Sequence, residues 1–179
     1  ADKWQEAVLA DPHTRVFLHG SVALLVAAPS PMTAQAIIER GLNMLRGEVN
    51  DPNFPKGFIS DHDFTELLRL FQLALIRGEI QPADAKLMAS ELAAEYPTKD
   101  NIMNRELVRL LVYLQAEQVT GRLTEQLRSQ IDEVEKLHIA AYVPYLKTGW
   151  TTEQKLALLT FYEQARTIKG GSSFTRYME

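Results

Sequence analysis

The sequence predicts an all-α fold, and three features of the chain carry this prediction. Apolar residues recur at steps of three and four in nearly every segment, and no segment shows the alternation of a half-buried strand. Pro, Gly, Asn and Asp divide the chain into segments of about 9 to 19 residues, the usual length of globular helices. The connections are mostly short, which favours antiparallel packing of consecutive helices.

The first half of the chain predicts five helices. Asp11 is a suitable N-cap, and Pro12 suits the first helical position because its missing N–H costs nothing there. Between Ser60 and Arg77 the stripe of Phe64, Leu67, Leu68, Phe71, Leu75 and Ile76 is wide enough for a core helix. The predicted helices cover residues 3–10, 12–28, 32–46, 60–77 and 83–94.

The second half predicts four more helices and the beginning of another. Asn101 or Asn104 is the expected start of the first of them. Gly149 stands where a left-handed C-cap is wanted, and Thr151 is the N-cap of the next helix. The predicted helices cover residues 101–114, 119–127, 131–146 and 152–168, and a further helix begins within 172–179.

The spacing of these helices predicts a stack of repeats. Paired into hairpins, the first helices begin near positions 12, 60, 101 and 132, at spacings of 48, 41 and 31 residues. These values scatter around the roughly 40 to 47 residues of HEAT and armadillo units. A HEAT/armadillo-like right-handed α-α superhelix of about four hairpins is therefore favoured over a closed four-helix bundle.

Composition excludes several classes of function. The formal net charge is −4 and no Lys/Arg run is present, so nucleic acid is not an expected partner. The most apolar stretch, 16–28, contains His19 and is short of the roughly 20 residues that span a bilayer, so no membrane insertion is expected. Absence of Cys removes disulfides and thiolate chemistry. No cofactor is expected.

Four short motifs carry a family resemblance. The Asp, Pro and Arg of segment 11–15 resemble the first helix of a HEAT repeat. Segments 104–115 (NRELVRLLVYLQ), 146–151 (LKTGWT) and 169–174 (KGGSSF) resemble the helical-repeat part of very large bacterial proteins, common in Planctomycetes. Those proteins combine a sugar-dehydrogenase-like β-propeller, HEAT-like repeats and a c-type cytochrome or haem-binding module. The similarity is close over residues 100–179, whereas residues 11–99 share only the sequence pattern of those proteins.

The resemblance implies a linking and docking scaffold within an exported or periplasmic multidomain protein. No Cys-x-x-Cys-His haem attachment site lies in this chain, so none of the family's redox chemistry transfers to a residue here. The chain starts with Ala and its last residues begin a helix. We therefore expect residues 1–179 to be a single helical-repeat domain from a longer chain.

The candidate catalytic and metal-binding patterns have simpler structural interpretations. His13 and His19 are six residues apart, whereas a helical metal pair needs a step of three or four. His62 lies between Asp61 and Asp63, where helix N-capping accounts for the acidic side chains. All four histidines, including His138, are expected to be surface or hydrogen-bonded helix residues. The Gly pair at 170–171 lacks the spacing of a phosphate loop. We predict no catalytic residue, no metal site and no enzymatic activity.

A polar cluster is predicted on the first turns of one helix. It comprises Asn104, Arg105, Glu106 and Arg109, of which Glu106 and Arg109 are one turn apart and able to pair. A network joining adjacent repeats is favoured over a ligand site.

The long segment 47–59 is the last candidate functional segment, because such loops in compact domains are either functional or packed against the surface of the domain. Its Phe54 and Phe58 either anchor a partner or plug the end of a hydrophobic seam, and the plug is favoured. The function expected overall is non-catalytic docking of other domains of the parent chain or of a protein partner. The alternative is a ligand-binding or enzymatic domain with a cleft near 47–59.

Overall fold

The computed structural model describes residues 2–47 and 60–168, and it is built of helices. No residue of these two ranges lies in a β-strand, so the all-α prediction is confirmed. Among the described helices none is both long and apolar enough to cross a bilayer. The α-helices are α1 (Asp2–Ala10), α2 (Thr14–Ala27), α3 (Pro31–Leu45), α4 (Asp61–Arg77), α5 (Lys86–Glu95), α6 (Asn101–Tyr113), α7 (Thr120–Arg128), α8 (Glu133–Tyr142) and α9 (Thr152–Ala165). Short 3₁₀ helices cover Pro82–Asp84, Glu117–Val119 and Val143–Tyr145.

The helices pack in two rows. In the first row α2, α4, α6 and α8 each contact the next. In the second row α1 contacts α3, α3 contacts α5, and α7 contacts α9, while α5 meets the 3₁₀ turn that precedes α7. Helices consecutive in sequence pack across the rows, as α1 does on α2, α3 on α4, α5 on α6 and α7 on α8. Each helix therefore has neighbours on two sides, and the row direction follows the chain.

Contacts along α4 give the direction of its neighbours. At the middle of α4 the guanidinium of Arg69 reaches Glu106, near the middle of α6. Beyond the end of α4 the carbonyl of Ile80 accepts a hydrogen bond at 3.2 Å from the hydroxyl of Tyr113, the last residue of α6. These two helices of one row therefore run parallel. Across the rows, the start of α3 lies against Gly78 at the end of α4, as expected for antiparallel neighbours.

The core lies between the rows and is widest around α4. Leu67, Leu68 and Phe71 are fully buried, as are Leu107 and Leu111 of α6. The wide apolar stripe predicted for α4 is confirmed except at its last member, because Ile76 is 68% exposed. Ile76 follows Arg69 by seven residues, which places it on the polar face of the helix rather than on the stripe.

Two helix starts differ from the sequence prediction. The helix expected from Pro12 begins at Thr14, because the carboxylate of Asp11 accepts the backbone N–H of His13 at 2.8 Å and holds a turn there. The N-cap of α6 is Asp100, which accepts the N–H of Met103 at 2.8 Å, rather than Asn101 or Asn104. Both differences arise because a short polar side chain bonds the nearest free N–H.

Other starts and stops agree with the sequence. Ser60 caps α4, and Thr151 caps α9 in a capping box with Gln154. Gly149 is not the predicted helix C-cap, because the 3₁₀ helix before it already ends at Tyr145. Its φ of 78° is left-handed as expected, and a Cβ there would lie 2.6 Å from the carbonyl oxygen of Glu117, so this position requires glycine.

Two predicted helices are shorter than expected because proline intervenes. The segment 131–146 ends its α-helix at Tyr142, since Pro144 lacks an N–H and its ring clashes with the preceding turn. Pro82 opens a 3₁₀ turn rather than α5, which begins at Lys86.

Candidate functional site

Polar side chains join three helices of the first row, and we call this set the polar seam. At its centre the carboxylate of Glu106 is buried on α6. Its Oε1 accepts a hydrogen bond from Nε of Arg69 at 3.2 Å, and its Oε2 accepts bonds from Nε2 of Gln72 at 2.9 Å and Nη1 of Arg109 at 2.6 Å. The members of the polar seam are Arg69, Gln72, Arg105, Glu106, Arg109, Glu135 and His138.

The seam forms because side chains one helical turn apart share a face. Arg69 and Gln72 are three residues apart on α4, as are Glu106 and Arg109 on α6. Burial by itself raises the pKa of Glu106, but the hydrogen bonds from Gln72, Arg109 and Arg69 outweigh it and hold this pKa below its ordinary value. The carboxylate is therefore kept ionised by donors from two helices.

The seam continues from α6 to α8. Nε of Arg105 donates to Glu135 Oε1 at 3.1 Å and to Oε2 at 3.0 Å, and its Nη2 also donates to Oε1. The carboxylate of Glu135 is buried, which makes it the second buried acid in this row. Each of the two buried carboxylates is thus bonded to an arginine, and each pair joins neighbouring helices.

His138 lies at the α8 side of the seam. Its Nε2 is 3.2 Å from the carbonyl oxygen of Arg105; because a carbonyl only accepts, Nε2 carries the hydrogen. Its ring packs 4.8 Å from the ring of Tyr142, over which the guanidinium of Arg109 lies at 5.9 Å. Burial is the largest effect on His138 and lowers its pKa, and the charges of Arg109 and Arg105 act in the same direction.

The four residues of the predicted cluster are therefore divided between two roles. Arg105 and Glu106 bond side chains of adjacent helices. Arg109 bonds Glu106 on its own helix, and its guanidinium lies over the ring of Tyr142 on α8. Asn104 instead closes the turn before its own helix: its Oδ1 accepts the N–H of Thr98 at 2.7 Å, and its Nδ2 donates to the carbonyl of Thr98 at 3.0 Å. The partners Gln72 and Glu135 went unrecognised in the sequence, where the only signal is a polar residue bordering an apolar stripe.

An open groove of about 790 Å³ separates α3 from the start of α5, and we call it the α3–α5 groove. Ile38 and Leu42 line its α3 side, and Ile80 and Met88 line the opposite side. The turn between α4 and α5 contributes Gly78, Glu79 and Ile80 to the lining, with Glu79 in the left-handed region at φ 52°.

One end of the groove is closed by an ion pair. Nε of Arg46, just beyond α3, donates to Oε1 of Glu91 on α5 at 2.9 Å, and its Nη1 donates to Asn43 at 3.2 Å. The carboxylates of Glu39, Glu79 and Asp84 also line the groove.

The histidines give no metal centre in the described part of the chain. His13 contacts the carboxylate of Asp11 at 3.0 Å, and His19 and His62 are exposed. Within residues 2–47 and 60–168 no group of three or more His, Cys, Asp or Glu side chains is placed to hold a metal ion.

Two predicted sites lie outside the described residues. Phe54 and Phe58 fall within 48–59, and the glycine pair at 170–171 falls within 169–179. Arg46 lies two residues before the first of these segments and at the end of the α3–α5 groove.

The described residues define a protein of packed helices in two rows, with a polar seam along one row and an open groove in the other. Comparisons with protein-family models, with curated proteins and with solved structures give no match to this chain.

Proposed function

We propose that this chain is a non-catalytic helical-repeat scaffold that docks other domains of its parent polypeptide or a protein partner. The observation that supports it is the packing of α2, α4, α6 and α8 in a single row, each against the next. In stacked repeats each unit contacts its neighbours in this manner and adds to one long surface. We further propose the HEAT/armadillo-like right-handed superhelix as the form of this stack.

The polar seam supports a structural rather than a chemical role. A catalytic carboxylate must come within hydrogen-bond reach of a substrate, whereas Glu106 and Glu135 are buried. Both oxygens of Glu106 already accept hydrogen bonds from side chains of α4 and α6, and those of Glu135 accept from Arg105. These groups stabilise the contact of one repeat with the next and leave docking to other surfaces.

The sequence resemblance supports a setting for the scaffold. We propose that the chain belongs to a large bacterial multidomain protein in which it lies between a β-propeller and a haem-binding module, outside the cytoplasm. In that setting its partners are the flanking domains, and the surfaces that hold them are on the scaffold.

One observation favours the second candidate, a ligand-binding or enzymatic domain with a cleft near 47–59. The α3–α5 groove ends at Arg46, beside that segment, and holds three carboxylates. Most titratable groups with shifted pKa values lie in the polar seam, away from the groove. Scaffolding therefore has the stronger support.

Photo-crosslinking in cells that make the full-length protein tests the proposal. A photoreactive amino acid placed at Leu87, which is 60% exposed in the groove, is compared with one at Leu159, which is 59% exposed on α9. A scaffold gives crosslinks from at least one of these surfaces to a single recurring polypeptide or to another domain of the same chain. Absence of protein crosslinks, together with a small molecule retained in native mass spectrometry, supports the second candidate instead.

Phe54 and Phe58 are tested in the same experiment. If they anchor a partner, Phe54→Ala and Phe58→Ala remove the crosslinks and leave the urea midpoint unchanged. If they plug a hydrophobic seam, both substitutions lower the midpoint.

A further inference from the structure

We propose that the α3–α5 groove binds a basic amphipathic helix of a partner polypeptide. This inference rests on the proposed docking function and names the surface and the chemistry of the partner.

The groove has the dimensions of a helix-binding site. Its α3 side is formed by residues at positions 31, 35, 38, 42 and 46, which repeat at steps of three and four and share one face of α3 along its whole length. At 1.5 Å per residue this face is about 22 Å long, enough for about four turns of a bound helix. The volume of about 790 Å³ accommodates the row of side chains that such a helix presents.

The groove has an apolar floor and an exposed apolar residue at its rim. Ile38 and Leu42 face Ile80 and Met88 across it. Leu87 stands at its edge with 60% of its surface exposed. The floor residues Ile38, Leu42 and Met88 are themselves buried, so an aliphatic partner side chain gains apolar contact mainly with Leu87 and the half-buried Ile80. The apolar surface of Leu87 and of the partner that this contact removes from water favours binding.

The charge of the groove specifies a basic partner. Glu39, Glu79 and Asp84 line it, and none of the three forms an ion pair within the described residues. Arg46, the one cation among the lining residues, is bonded to Glu91. Lysine or arginine side chains beside the apolar stripe of a bound helix therefore meet carboxylates, whereas acidic side chains are repelled.

A helix fits the groove better than an extended peptide does. Extended peptides bind by adding a strand to a sheet edge, whose N–H and C=O groups are free. Along α3 the backbone groups are used within the helix, and no β-strand lies in the described ranges. Recognition must therefore come from side chains at i, i+3 and i+4.

Two synthetic peptides test the charge and the shape. Both are 14-residue helices with Leu at the same i, i+3, i+4 positions, and the remaining positions are Lys in one and Glu in the other. Fluorescence anisotropy of the labelled peptides against the purified chain is expected to show the Lys peptide binding at least about tenfold more tightly. Its affinity is expected to fall as salt rises, because the carboxylates are partly exposed.

Three variants locate the binding. Leu87→Asp and the triple variant Glu39→Gln, Glu79→Gln, Asp84→Asn are each expected to weaken the Lys peptide about tenfold. Leu159→Asp changes an equally exposed leucine on α9 and is the matched control, expected to leave affinity unchanged. Circular dichroism verifies that each variant keeps its helix content, and Leu87→Ala replaces Leu87→Asp if the latter unfolds.

Equal affinity for the Lys and Glu peptides overturns the inference, as does equal loss from Leu87→Asp and Leu159→Asp. If the Lys peptide binds more tightly to a Phe54→Ala/Phe58→Ala variant, the occupant of the groove is the chain's own segment 48–59. That result also overturns the inference. The scaffold proposal is separate, because crosslinks at Leu159 without peptide binding at the groove support docking through another surface. Absence of protein crosslinks at both leucines counts against docking itself, whatever the peptides do.

Discussion

Gly41 of α3 lies against the ring of Phe71 of α4, so closely that a Cβ on Gly41 would lie 2.5 Å from Cε1 of the ring. This close approach sets the distance between the two helix axes at the centre of the core, because both residues are buried and Phe71 has no space to withdraw into.

Gly41→Ala is therefore expected to destabilise the protein by about 1–3 kcal/mol through overpacking, although alanine is the better helix former. Urea denaturation measures the loss. Gly121→Ala is the matched control in α7, where the nearest atom to an added Cβ is the side-chain Nε2 of Gln154 at 3.4 Å. That variant is expected to gain up to about 1 kcal/mol. A gain in both variants would show that Phe71 moves aside freely.

Leu68→Ala and Leu111→Ala are expected to cost about 2–5 kcal/mol each, because both side chains are fully buried and truncation leaves a cavity. Leu158, 9% exposed, is expected in the same range. Leu159→Ala, its exposed neighbour, is expected within about 0.5 kcal/mol of the wild type. Losses below about 1 kcal/mol at all three buried positions would contradict the packing described.

Glu106→Gln is expected to lower the free energy of unfolding at neutral pH by about 1–3 kcal/mol, because an amide replaces the carboxylate that Arg69, Gln72 and Arg109 contact. The folded-state pKa of Glu106 is below its ordinary value, so its contribution is present above about pH 4.3 and is lost as pH falls through the folded pKa. The difference between wild type and variant is thus expected to shrink in acid. Glu125→Gln, at an exposed site on α7, is the control.

His138 is expected to make stability fall in mild acid. Its folded-state pKa is lowered, mainly by burial and then by Arg109 and Arg105, against the raising effects of the Arg105 carbonyl and Glu135. The imidazole of His138 therefore binds a proton near pH 6.5 in the unfolded chain but not in the folded chain. Stability declines as the pH falls from about 6.5 to the folded-state pKa. Denaturation between pH 7.5 and about 5 is expected to show that the free energy of unfolding depends less steeply on pH in His138→Gln than in the wild type. Exposed His19→Gln should keep the wild-type slope.

The sequence predicted the helices and most of their ends because the signals are local. Ser60 and Thr151 cap the helices they precede, and the stripe of α4 is buried over all but one of its members. Ile76 was wrongly assigned to the buried stripe of α4. It borders that stripe in sequence spacing, and only the positions of the neighbouring helices show that it faces solvent. Asp100 was missed as a cap because Asp100, Asn101 and Asn104 all have side chains suited to capping a helix.

The candidate site was predicted in part. Arg105, Glu106 and Arg109 were recognised as a polar cluster from their spacing on one helix, but Asn104 belongs to a turn that depends on Thr98. The groove gave no sequence signal, since its walls come from α3 and from residues about forty positions later in the chain.

The amino-acid sequence by itself determined that this protein is helical, where its helices lie and which face of each is apolar, because these properties depend on residues within a few positions of one another. Only the tertiary structure decided that Glu106 is bonded to Arg69 and Gln72, that Arg105 meets Glu135, and that a groove separates α3 from α5. The physical reason is that these arrangements depend on which helices become neighbours and how closely they approach. That choice is made by the packing of the whole core, in which a single glycine opposite a phenylalanine can set the distance.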